Sequence, residues 1–106
     1  MSLVTPSIDP HLTGIAPGLR ALSILVEAAQ ITHPEVAPAA LTQACQQVLN
    51  DDVPWAQAHL AAWDEVFKNF GAKPKRTPCS ASALRKRVLK DGSLPSLDPV
   101  VDIYNA

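Results

Sequence analysis

Residues 66–90 of this chain carry Lys68, Lys73, Lys75, Arg76, Arg85, Lys86, Arg87 and Lys90 and no acidic residue. Eight of the nine cations therefore lie in one stretch. All ten acids lie outside it, at Asp9, Glu27, Glu35, Asp51, Asp52, Asp64, Glu65, Asp91, Asp98 and Asp102. A block with a local charge of +8 repels itself, and the chemistry it suits is the binding of a polyanion, nucleic acid before others. The competing use of the same residues is a solvated face that serves only solubility. The rest of the reactive inventory is sparse. Asp51-Asp52 and Asp64-Glu65 are paired carboxylates, but adjacent residues on a helix or turn point apart, so they read as solvated acids. There is no G-x-G-x-x-G, Walker loop, H-E-x-x-H, G-x-S-x-G or Cys-x-x-Cys. Cys45 and Cys79 are 34 positions apart and fit neither a zinc site nor a disulfide framework. No metal or cofactor is expected, and a reducing, cytoplasmic setting is the default.

The basic residues must be positioned by a loop and a helix. In residues 72–78, AKPKRTP, two prolines stiffen an exposed basic loop. Thr77-Pro78 has the form of a helix N-cap and first position, with Ala83, Leu84, Val88 and Leu89 as the apolar face of the helix that follows. Lys86, Arg87 and Lys90 near its C-terminal end also complement the helix dipole, which is their structural use. Upstream, Pro34 opens a helix with Val36, Ala40, Leu41, Ala44, Cys45, Val48 and Leu49 at spacings of three and four, and Asn50-Asp51-Asp52 ends it as a turn. Cys45 on that face reads as a small core residue.

Pro54 starts the next helix, whose stripe of Trp55, His59, Leu60, Trp63, Val66, Phe67 and Phe70 holds both tryptophans and both phenylalanines. That concentration of aromatic area marks it as the anchor of the core, with His59 a packed imidazole and Gly71 a left-handed cap. Leu22-Ser23-Ile24-Leu25-Val26, an apolar run preceded by Pro-Gly, reads as a buried strand. Residues 1–17 read as irregular, and Asp98-Pro99 opens a last helix through Val100, Val101, Ile103 and Tyr104.

At 106 residues the chain is sized for one domain. Its 47% hydrophobic content and net charge of -1 exclude wholesale disorder. No apolar run approaches the roughly 18 residues that span a bilayer, so no membrane partner is expected. The N-terminus lacks the basic and apolar regions of a secretory signal.

The stretch Phe67-Lys-Asn-Phe-Gly-Ala-Lys-Pro-Lys-Arg-Thr-Pro-Cys-Ser, then Ala83-Leu-Arg-Lys-Arg-Val-Leu-Lys and Gly92-Ser-Leu-Pro-Ser-Leu-Asp-Pro-Val-Val-Asp-Ile-Tyr-Asn, resembles the B3/B4 domain of the bacterial phenylalanyl-tRNA synthetase beta subunit. It is closer still to the free-standing proteins built from that domain. The resemblance covers roughly residues 55–106 well and residues 19–50 in general layout. It implies an α+β fold, a mixed sheet with flanking helices, of which this chain holds the mostly helical N-terminal half in residues 18–106 with one or two strands. It further implies a trans-acting aminoacyl-tRNA deacylase that hydrolyses the ester of misacylated tRNA.

By position Asp102 and Asn105 match the VD and N of the segment beside the family's editing pocket. They are the candidate catalytic residues, with Lys73, Lys75, Arg76, Arg85, Lys86, Arg87 and Lys90 as the tRNA-binding set. Asp98 stands where relatives have Asn, and both cap a helix. The family domain is about twice this length, so the resemblance implies a second chain or a further half that completes the site, with tRNA as partner. The alternative of a different class is a protein–protein interaction module without nucleic-acid activity, its cations paired with the acidic remainder of the chain.

Overall fold

A computed structural model describes residues 3–50 and 53–106 of the chain. Five helices run in order: α1 (Leu12–Ile15), α2 (Val36–Asn50), α3 (Ala56–Asn69), α4 (Ser80–Asp91) and α5 (Pro99–Asn105). The mixed sheet expected from the resemblance is not there: the described residues contain no strand, and the architecture is all-helical. The reason is partnership. A strand exists only when its backbone groups pair with another, and the described residues offer no strand for residues 20–31 to pair with. That tract is irregular and forms no backbone hydrogen bond with another described residue. It leaves Leu22, Ile24, Leu25 and Val26 exposed, Leu22 to 85%.

The core gathers on α2, which packs against α5 and α4. Ala37, Leu41 and Cys45 recur every four residues along one side of α2 and are buried, joined by Ala56 of α3 and Val88 of α4. Val36 and Leu49, placed on the same face by periodicity, lie at its exposed margins. The aromatic helix does not anchor this core. Ala56 is its one buried residue, and Trp55 and Phe70 are exposed. Its rings pack instead along their own helix: Trp63 meets Phe67 edge-on at 6.5 Å and Phe67 meets Phe70 at 5.2 Å. Spacings of four and three let these rings touch without any second element.

The result is a loosely filled molecule. Its radius of gyration is 16.4 Å, against about 13 Å for a compact domain of 100 residues. The accessible surface is 8658 Å², where a folded monomer of 11.3 kDa would show about 5,700 Å².

Helix ends follow local chemistry. Asp98 accepts hydrogen bonds from the backbone N–H of Val100 and Val101 at 2.9 and 3.0 Å, with Pro99 in the first turn, as its cap pattern implies. Gly71, at φ +91°, closes α3: its N–H reaches the Lys68 carbonyl, and the Ala72 N–H reaches that of Phe67. The start of α4 departs from expectation. Thr77 and Pro78 stay in the loop, where the Arg76 and Thr77 N–H groups both donate to the Lys73 carbonyl. The cap is Cys79, whose sulfur accepts from the Ser82 N–H at 3.5 Å. Asp9 shapes the single turn α1, within the segment read as irregular, by accepting from the His11 N–H at 2.9 Å. The turn assigned to Asp51 and Asp52 lies outside the described residues.

Gly92 ends α4 at φ +84°, its N–H on the Val88 carbonyl at 2.8 Å. A Cβ there would meet no atom within 4 Å, so only the left-handed backbone resists a side chain. Gly92→Ala is expected to cost about 1 kcal/mol, read as a lowered urea midpoint with an unchanged slope.

Candidate nucleic-acid interface

On α4 the residues at 100° intervals sort cleanly. Val88 is buried, with Leu84 and Arg85 half-buried on the same side, whereas Lys86 and Lys90, one turn apart, face solvent on the opposite side. Arg87 lies beside them and places its Nε 3.6 Å from the Asp91 carboxylate, an exposed pair of little energetic weight. Lys73, Lys75 and Arg76 of the preceding loop are all exposed. None of Lys73, Lys75, Arg76, Lys86 and Lys90 forms an ion pair with a described residue. Lys68, the remaining cation of the block, is held 3.0 Å from Glu65. Its pKa is raised above the ordinary lysine value, first by the hydrogen bond the ammonium donates to Glu65 and then by that carboxylate's charge. Pairing thus separates Lys68 and Arg87 from Lys73, Lys75, Arg76, Lys86 and Lys90.

Across α4 from Lys86 and Lys90, on the side that carries Leu84, Arg85 and Val88, a cleft of about 570 Å³ opens between α2, α3, α4 and α5. Its lining includes apolar Cys45, Val48, Leu60 and Val88 and the polar side chains of Gln47, His59, Ser80, Arg85 and Asn105. Trp55 and Tyr104 also line it, the indole and His59 rings forming a T-shaped pair at 5.8 Å. His59, read from the sequence as a packed imidazole, is exposed at this cleft. Among the described residues no cluster of His, Cys, Asp and Glu could hold a metal ion, and no helix is long and apolar enough to cross a membrane.

The two residues matched to the editing segment separate in space. Asn105 lines the cleft, on the same wall as Tyr104. Asp102 does not: it is 1% exposed, the one buried charged residue among those described. Its two oxygens are occupied, one by the Ser96 hydroxyl at 2.5 Å and the other by the Leu97 N–H at 2.8 Å. This carboxylate fastens the loop before α5 to the helix, so its geometry is that of a positioning group. Of the basic set, Arg85 alone lines the cleft, and the others surround α4 and its entry loop.

Sequence reasoning missed Trp55, Ser80 and Tyr104 as cleft residues. Trp55 carried a signal, an aromatic at the very start of a stripe, beyond the reach of a full turn of neighbours. Comparisons with protein-family models, with curated proteins and with solved structures find no match to this chain.

Proposed function

We propose that the chain is a cytoplasmic tRNA-binding module of the editing type, acting on misacylated tRNA. The observation that carries this is the solvent-facing group of Lys86 and Lys90 on α4 with Lys73, Lys75 and Arg76 before it, unpaired with any described acid. A set of cations left without partners on a helix and its entry loop suits a phosphate backbone, which they meet by releasing its counterions. Hydrolysis of an aminoacyl ester requires a water aimed at the carbonyl and donors for the oxyanion that develops. In the cleft Asn105 supplies an amide donor, Ser80 a hydroxyl and His59 a proton acceptor. Asp102 contributes by holding α5, which carries Asn105.

A second chain or a further portion of the domain completes the pocket and covers apolar surface such as Leu22 and Ile24. Those exposed residues also favour the second reading, an interaction module without RNA. Incubation with mischarged tRNA at low salt tests the proposal. Binding that weakens steeply with salt supports the module, and release of the amino acid supports the hydrolytic part. A chain indifferent to tRNA in dilute buffer leaves the interaction module.

A further inference from the structure

Trp55 and Tyr104 are 63% and 69% exposed, although the molecule is short of buried apolar area. They stand 49 positions apart, at the start of α3 and near the end of α5, and line one cleft. Two water-facing aromatic rings lining one cleft, with Arg85 of α4 also in its lining, offer a stacking platform. We infer that this cleft takes one unpaired nucleobase, stacked on Trp55 and Tyr104, from an RNA strand that passes round α4 to the cations on its other side. The inference rests on the RNA-binding reading above and names the part of the RNA that enters.

The cleft volume, about 570 Å³, lies within the range that accommodates a nucleotide-sized ligand. His59 meets Trp55 in a T-shaped pair at 5.8 Å, and the indole is still 63% exposed to a ligand. Asn105 offers both a donor and an acceptor to a base edge, the pairing single-stranded RNA readers use. Arg85 in the lining supplies the positive charge that complements a phosphate within the cleft. A helical duplex keeps its bases stacked on each other and cannot present one here.

The test uses the whole chain carrying Trp63→Phe, so that Trp55 is the sole indole emitter. It is titrated at low salt with a single-stranded RNA tetranucleotide and with a blunt RNA duplex. The expected result is quenching of Trp55 by the single strand and not by the duplex. Trp55→Ala or Tyr104→Ala should then weaken single-strand binding roughly ten- to hundredfold, with duplex binding and the urea midpoint unchanged, and Tyr104→Phe should retain binding. Binding of both RNAs without quenching, or with equal quenching, overturns the stacking site and leaves the cationic face standing. Absence of binding to either RNA overturns both.

Discussion

Asp102→Ala is expected to loosen α5 from the rest of the molecule and to lower the urea midpoint by on the order of 1 M. The carboxylate is 1% exposed and accepts from the Ser96 hydroxyl and the Leu97 N–H. Alanine removes both acceptors at once and leaves two donors to find water, at about 1–3 kcal/mol. With a slope of about 1–3 kcal/mol per molar urea, that is a shift near 1 M. The loss is large relative to the whole, because α5 packs on α2 and only a handful of apolar side chains are buried among the described residues. Asp102→Asn should fall between the two: its carbonyl still accepts from Leu97, and its amide donates to a Ser96 hydroxyl turned round to accept. An alanine variant as stable as the parent would show that the carboxylate holds nothing. Were such a variant also unable to deacylate tRNA, Asp102 would be reassigned to the chemistry.

Replacing Lys73, Lys75, Arg76, Lys86 and Lys90 together by glutamine is expected to remove most of the salt dependence of tRNA binding along with most of the affinity. Five phosphate contacts give a slope of log K on log salt of about −3.5 to −4.5, depending on strandedness. Between 50 and 200 mM salt the parent chain should therefore lose affinity by about 10²- to 10³-fold, and the substituted chain should lose little. The residues are exposed and outside the core, so the urea midpoint should be nearly unchanged. Lys68→Gln provides the internal control. Its ammonium is tied to Glu65, and its removal should leave the slope within one contact of the parent. Binding by the fivefold variant that equals the parent at 50 mM salt would relegate the cations to solubility.

Local signals carried the helical part of the fold. The three- and four-residue spacing of Leu41, Ala44, Cys45 and Val48 is a helix in any context, and Asp98-Pro99 and Gly71 are caps whose geometry needs only nearby atoms. Tertiary information was not local. The run Leu22–Val26 has the composition of a strand, yet composition says nothing about a second strand to pair with. The aromatic stripe of α3 implied a core because large rings are normally buried, whereas these rings satisfy each other along one helix. Cys79 was passed over as a cap because Thr77-Pro78 offers a better hydroxyl and a better first residue. At the candidate site, Asn105, singled out through the resemblance alone, is among the cleft-lining residues. The withdrawal of Asp102 was not, because burial of an acid depends on the donors that the loop at Ser96 and Leu97 brings to it.

The uncovered run Leu22–Val26 has a consequence for the chain in concentrated solution. It combines β-branched and apolar residues with no proline and no charge, the composition of segments that seed fibrillar association. Arg20 and Glu27 bracket it closely and act as gatekeepers, since stacking identical segments in register would bring like charges together at both ends. The colloidal behaviour of the protein therefore hinges on two flanking ions far in sequence from the basic helix, and salt strong enough to screen them should favour turbidity over time.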